Sequence, residues 1–490
     1  MAPKHEFHLD VNAGLDRSTA VPLDDTPFRI AILGDFSGRG SRRAVEGGAA
    51  LARRPAWPVD RDDLDVTLRE LGPVLELPLE GDGPPLTIRV RALDDFHPDH
   101  LWEKLPLFQA LRELRGKLAN PATFKAAAAE LTGAAPPPPP RRPTGGSLLG
   151  DILDAQSPTD VEEVLADAEG DLHGFIQRIM KPHLVPNPDP RQGEMLAQVD
   201  AAASATLRSI LHHPAFQALE ALWRGIDTVV RQLDTGPDLK VLLLDVSEAE
   251  VAAALPSGGD PGKSPLFALL ARDRETAPWG LIIAASTFGP SLDDIERVAQ
   301  LAAIGMTLRA PVIAAADPAL AGVGAEFNEV SSWTSPPPAW VALRATSFAR
   351  SLGLVLPGFL GRVPYGAGLE ECERIRFEEF EGGRVPDRLL LGNPALMVAV
   401  VLGRGFTESR WSLMGSLEPI VSGLPVGSIG RGPGAVAVGP GAFPVAVRAA
   451  EALMERGFMV LAPVKDTDQV RLVRVQSCAT PLGGLAGRWG

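Results

Sequence analysis

Residues 257–264, Ser-Gly-Gly-Asp-Pro-Gly-Lys-Ser, hold the residue types of a phosphate-binding loop: glycines for close backbone approach, then a lysine and a hydroxyl. The spacing does not deliver that chemistry. Ser257 stands where the first glycine belongs, Pro265 follows the hydroxyl, and the segment before it reads as helix, so backbone donors are not aimed at an anion. Residues 34–40, Gly-Asp-Phe-Ser-Gly-Arg-Gly, follow a strand as dinucleotide loops do, yet lack the Gly-x-Gly-x-x-Gly spacing and a clear βαβ unit. A tight turn is expected there, with Asp35 in a structural role. His212 and His213 are adjacent, so on a helix their side chains diverge by about 100° and do not easily share a metal. None of the eight histidines has a Cys or His partner at zinc spacing, and no Gly-x-Ser-x-Gly nucleophile elbow occurs. Asp245 closes a strand, where α/β enzymes often place carboxylates, but its position before Ser247 and Glu248 suits a helix N-cap. No catalytic, cofactor-binding or metal-binding set is therefore expected.

One charged group does have a positional logic. Glu220 and Arg224 are spaced i,i+4 on one helix, with Trp223 beside them. Alone such a pair contributes about 0.3–0.5 kcal/mol. Arginine can also make planar, bidentate contacts to a carboxylate on another element, so a structural ion-pair role is predicted.

The elements that must position these residues fall into two blocks. Residues 27–33 read as a buried strand, 60–71 as a helix opened by acids, and 73–78 and 85–92 as two strands. Residues 41–55 read as a helix or an ordered loop. Helices are expected over 99–118 and 121–131. Residues 134–146 contain the prolines Pro136–Pro140 and should form a semi-rigid polyproline II spacer. Helices follow over 159–181, 192–212 and 215–233, the last apolar at Phe216, Leu219, Leu222, Trp223, Ile226, Val229 and Val230. Strands at 239–245, 280–284 and 311–315 alternate with helices at 247–255, 264–272 and 291–308, which predicts a largely parallel sheet. Helices at 338–353, 393–405 and 445–457 and strands at 458–463 and 470–475 complete the reading. The chain should divide into regions 1–133 and 147–490 joined by 134–146.

Composition limits the partners. The chain has 490 residues, 45% hydrophobic and 22% charged, which implies several domains of ordinary globular type. A net charge of −14 and a pI near 5.2 disfavour nucleic acid and anionic membranes. Cys372 and Cys478 are too few and too far apart for a disulfide framework. The N-terminus lacks an apolar leader and no run long enough to span a bilayer occurs, so a cytoplasmic protein without membrane insertion is expected. Near the N-terminus, Phe7, Leu9 and Val11 alternate with polar residues as one face of a strand. A lone strand must pair to be stable; it is either a frayed tail or a strand donated to a neighbouring subunit.

Several segments, in order, resemble the contractile sheath proteins of type VI secretion systems. Phe28–Gly38, Val59–Asp65 and Leu93–Pro98 resemble the small subunit (TssB), the last through its Asp-Asp-Phe-x-Pro motif. Leu219–Gly225 resembles the Trp-Arg-Gly helix of the large subunit (TssC), followed by Ser264–Phe267, Arg309–Pro311, Arg350–Pro357, Pro364–Gly366 and Gly392-Asn393. The resemblance implies an α/β fold in which an N-terminal α+β small-subunit-like unit packs on a larger α/β large-subunit-like unit. It implies a fused structural subunit that needs no cofactor and assembles with sheath subunits around an inner tube protein on a baseplate. Leu148, Leu149, Ile152 and Leu153 resemble the short helix by which large subunits bind the AAA+ recycling ATPase (ClpV); the other reading is a small helix packed on its own domain. Large subunits usually continue beyond the point matching Gly490, so sheath-like folding is better supported than an ordinary contractile lattice. The alternatives are a sheath paralogue that caps, nucleates or regulates, and a cytoplasmic Rossmann-like enzyme.

Overall fold

Strand segments too apolar to alternate dictate the centre of the molecule. In a computed structural model, described over residues 25–78, 84–120, 123–132, 192–366, 368–380, 389–429 and 436–489, these segments line up in one nine-stranded sheet. From edge to edge it runs Ile420–Val421, Val470–Leu472, Phe458–Pro463, Leu352–Leu356, Val312–Ala316, Leu281–Phe288, Phe28–Gly34, Leu239–Asp245 and Trp57–Val59. The six strands from Phe458–Pro463 to Leu239–Asp245 are parallel, and antiparallel pairing is confined to the two edges. The sheet is α/β, as expected. Parallel sheets need cover on both faces, and their strands are correspondingly apolar throughout.

Successive residues in these strands go to opposite layers. Phe28, Ile30, Ile32, Val241, Leu243 and Ile283 pack on one face, in a core shared with the helices Pro214–Gln232 and Ala395–Ser409. Ala31, Leu33, Leu242, Leu244, Ile282 and Ala284 pack on the other, with Leu292–Leu308, Pro338–Arg344 and Val447–Glu455.

The N-terminal region does more than pack on the larger unit. Its Phe28–Gly34 strand lies inside the sheet, paired in register with Leu239–Asp245 along all seven residues and, on its other side, with Leu281–Ala284. Phe28 is enclosed by Phe406, Trp411 and Trp489, with ring centroids 5.0–6.0 Å away. The Gln109–Ala119 helix is tied to Gln192–Leu211 by Arg115 and Asp200 at 2.7 Å.

Two expected helices are divided. The stretch 99–118 becomes Pro98–Lys104 and Gln109–Ala119, because Pro106 cannot donate a helical N–H and forces Leu105 into extended backbone. The stretch 338–353 is a helix only to Arg344; Leu352–Leu356 is a fully buried strand. Such a strand has no period of two, so its apolar run reads equally as helix. The runs Phe7–Val11 and Leu148–Leu153, the Pro-rich joint and the helix expected at 159–181 lie outside the described residues. Among the described residues, no helix is long and apolar enough to cross a membrane.

Candidate functional site

Two buried charge networks hold the polar residues singled out in the sequence. The first grows from the Pro214–Gln232 helix. His213 caps it by accepting from the Ala215 amide at 3.2 Å, and Pro214 sits at N1, where its missing N–H is harmless. The buried stripe includes Phe216, Leu219, Glu220, Trp223, Gly225 and Ile226. Trp223 packs edge to face on Phe36 and donates its indole N–H to the Phe36 carbonyl at 3.0 Å. One aromatic residue thus fixes the N-terminal region's first turn to the later helix.

Glu220, at 0% exposure, accepts from Arg224 Nε and Arg362 Nε, each at 2.8 Å. Arg362 also forks onto Glu379, at 2.7 and 3.1 Å, and lies 4.1 Å over the Tyr365 ring. Glu379 accepts from the Tyr365 amide at 2.9 Å, and Arg224 donates to the Tyr365 hydroxyl at 3.1 Å. Two carboxylates and two guanidiniums therefore balance, with His212 Nε2 a further 3.4 Å neighbour of Glu379. The Glu220–Arg224 pair predicted from spacing is one edge of this network; Arg362 and Glu379 are too distant in sequence for spacing to show.

The second network joins the N-terminal turn to the end of the neighbouring strand. Asp245 accepts from Ser37 twice, from its amide at 3.0 Å and its hydroxyl at 2.7 Å. It does not cap the following helix as expected. Ser247 does, in a capping box with Glu250, because Asp245 is still in the strand and turned toward the Ser37 loop. Arg54 grips Glu250 with two hydrogen bonds of 2.8 Å, and Arg39 reaches the same carboxylate at 3.2 Å. Asp35 folds the turn by accepting from the amides of Arg39 and Gly40 at 2.6 and 2.8 Å, and burial pushes its carboxyl above the usual range. The segment resembling a phosphate loop is otherwise employed: Asp260 caps a short 3-10 turn, and Ser264 caps the Pro265–Ala271 helix.

Burial opposes ionisation of Glu250 and Glu379, but their arginine partners win and hold both at about 2. The sign follows from linkage. A carboxylate depressed in the fold stabilises it above the unfolded pKa, near 4.5, and that contribution drains away as pH falls through about 2. Urea midpoints are expected to drop steadily from pH 5 to pH 3; a flat profile would contradict these pairings.

Gly225 is a packing requirement. A Cβ there would lie 2.4 Å from Leu396 Cδ1 on the Ala395–Ser409 helix. Gly225→Ala should cost about 1–3 kcal/mol in urea unfolding, since the Leu396 side chain must be displaced within a packed core. A neutral outcome would show that the Leu396 side chain turns aside at no more cost than the helix propensity that alanine gains over glycine.

Neither network is arranged as a nucleophile with a base. The first locks the Trp-Arg-Gly helix to the segment around Arg362 and Glu379, and the second locks the N-terminal turn to Asp245 and Glu250.

Comparison with known proteins places these residues in context. A family model for VipB, described as EvpB/VC_A0108, tail sheath N-terminal domain, matches residues 193–479. A second, described as type VI secretion system, VipA, VC_A0107 or Hcp2, matches residues 13–129. The type VI secretion system sheath protein TssC1 of Pseudomonas aeruginosa is 31% identical over 305 residues, 59% of this chain. The match spans 61% of that relative's length.

Proposed function

This chain belongs to the type VI secretion sheath family, with small-subunit (VipA, TssB) and large-subunit (VipB, TssC) regions fused in one polypeptide, and we propose that it is a structural subunit of a contractile sheath. The observation that carries the reading is the Phe28–Gly34 strand of the first region, seated between two strands of the second. Both sides of that pairing lie in one chain, so each polypeptide carries a small-subunit region and a large-subunit region already joined through the sheet. Such units assemble in an extended state around an inner tube and on a baseplate. Contraction re-docks them and pushes the tube outward, with energy stored in the lattice rather than in a catalytic centre. Tubes in negative stain of the purified protein are the expected result. Monodisperse particles that remain single at all concentrations would favour a capping or regulatory paralogue.

Lattice contacts in this reading include strand addition by the N-terminal run Phe7, Leu9 and Val11. The residues Asn12–Thr26 between that run and the folded region reach at most about 50 Å, enough to cross to a neighbour. Deleting residues 1–12 should leave a folded particle, with unchanged thermal melting, that no longer forms tubes. Ordered tubes from the truncated protein would refute the exchange.

Recycling in this reading goes through Leu148, Leu149, Ile152 and Leu153, whose spacing makes one apolar helix face for a ClpV-like AAA+ ATPase. Leu149→Asp with Ile152→Asp should abolish capture of that ATPase while the melting temperature stays within a few degrees. A large loss of stability would instead make the segment part of a core.

A further inference from the structure

The fold brings together a group of donors that sequence spacing does not reveal. His97 caps the Pro98–Lys104 helix in the N-terminal region, and Asp99 lies in that helix's first turn. Cys372 arrives from the later region, 273 residues beyond Asp99 in sequence. One donor atom from each of the three lies within 4.8 Å of the others.

The surroundings resemble a ligand set more than a packing accident. Asp99 is buried, and its two oxygens accept from the amides of Glu373 at 2.8 Å and Arg374 at 3.0 Å. Those bonds orient the carboxylate and leave lone pairs free on both oxygens. His97 Nδ1 lies 3.8 Å from Asp99, and its Nε2 lies 3.9 Å from Glu370. The ring stands edge-on to Tyr365, with centroids 4.8 Å apart, which limits its rotation. His97 and Cys372 are both half-buried, so an ion has a route in from solvent. A nitrogen, a carboxylate oxygen and a sulfur, with a second carboxylate adjacent, are the donors of a borderline divalent ion such as zinc.

We propose that His97, Asp99 and Cys372 form a divalent transition-metal site, with water as fourth ligand, that clips the N-terminal region to the loop carrying Cys372. Bond lengths of about 2.0–2.3 Å in a tetrahedral site put ligand atoms roughly 3.3–3.8 Å apart, so donors now as far as 4.8 Å apart close by up to about 1.5 Å on binding. The movement falls on the half-buried side chains, because Asp99 is already held. Binding replaces the Cys372 thiol proton with the metal and releases that proton to solvent. When His97 ligates through Nδ1, it gives up the Asp99 amide it caps, and its Nε2–H turns to Glu370, the arrangement common behind metal-bound histidines.

The test uses the full chain, stripped with chelator and titrated with Co2+ and Zn2+. Expected are about one equivalent of binding, the visible bands of tetrahedral cobalt and a thiolate-to-cobalt charge-transfer band. Cys372→Ser should remove the charge-transfer band and weaken zinc binding by more than about 100-fold, beyond the loss typical of outer-shell changes. His97→Asn keeps a side chain able to cap the helix and should also lose the tetrahedral spectrum. Zinc should raise the melting temperature of the parent chain and not of either variant. No charge-transfer band in the parent, or one that persists in Cys372→Ser with circular dichroism showing a folded chain, overturns the site.

Discussion

Encoded as two separate polypeptides, residues 1–133 and residues 147–490 should co-purify as a one-to-one complex, and residues 147–490 alone should aggregate. The sheet explains both halves of this result. Withdrawing Phe28–Gly34 strips Leu239–Asp245 and Leu281–Phe288 of a neighbour at once, in the middle of the sheet rather than at its edge. Backbone groups on both strands then lack partners, and two apolar edges are open to other copies. The side chains add to this. Phe28, Ile30, Ile32 and Leu33 are buried, each worth about 1.5–3 kcal/mol, and the Phe406, Trp411 and Trp489 cage around Phe28 would be open. Polar pairs set the register: Ser37 on Asp245, Arg54 on Glu250 and the Trp223 indole on the Phe36 carbonyl all cross between the pieces. Asp245→Ala in the split system should weaken the complex, because it leaves the Ser37 amide and hydroxyl without acceptors at a cost of about 1–3 kcal/mol each. Independent elution of two soluble, monomeric pieces on size exclusion would refute the account. In the intact chain the covalent joint makes the pairing intramolecular, so it does not depend on concentration.

What the sequence made legible follows the same physics. The Phe28–Gly34, Leu239–Asp245 and Phe458–Pro463 strands were readable because short β-branched and leucine-rich runs end at turn residues. The α/β alternation was readable because helices and strands there have different periods and conventional lengths. Leu352–Leu356 was not, since a strand buried on both faces carries no alternation, nor were the two- and three-residue strands near 359, 391, 420 and 427. In the charge networks, Glu220 and Arg224 could be paired from their spacing, and Asp35 from its turn. Arg362, Glu379, Arg54 and Glu250 could not, because their partners are set by tertiary packing. Pattern reading sees neighbours along one helix and is blind to pairs more than one hundred residues apart, such as Arg362 with Glu220 or Arg54 with Glu250. The same blindness hid His97, Asp99 and Cys372 from each other.

Replacing Arg362 by Met should cost about 3–5 kcal/mol at neutral pH, the scale for breaking a buried ion pair from one side. Arg362 is 4% exposed and is the hinge of its network, touching Glu220 and Glu379 together. Without it Glu379 loses its arginine, and Glu220 keeps only Arg224. The network would carry a surplus negative charge with no water to solvate it, which costs far more than the same charge at a surface. The pH profile identifies the cause. In the parent chain, Glu379 sits at about 2 and its contribution fades as pH drops toward that value. In Arg362→Met the orphaned carboxyl relieves itself by taking up a proton, so acid helps the variant while it harms the parent. The stability gap between the two should therefore narrow as pH falls from 7 to 4 in urea titrations. A companion variant, Arg362→Met with Glu379→Gln, should recover part of the loss, because the surplus charge is gone and only hydrogen bonds are missing. A loss below about 1 kcal/mol for Arg362→Met, flat with pH, would place the network on the scale of solvent-screened surface pairs. It would then contribute nothing to holding the Trp-Arg-Gly helix against the 359–380 segment.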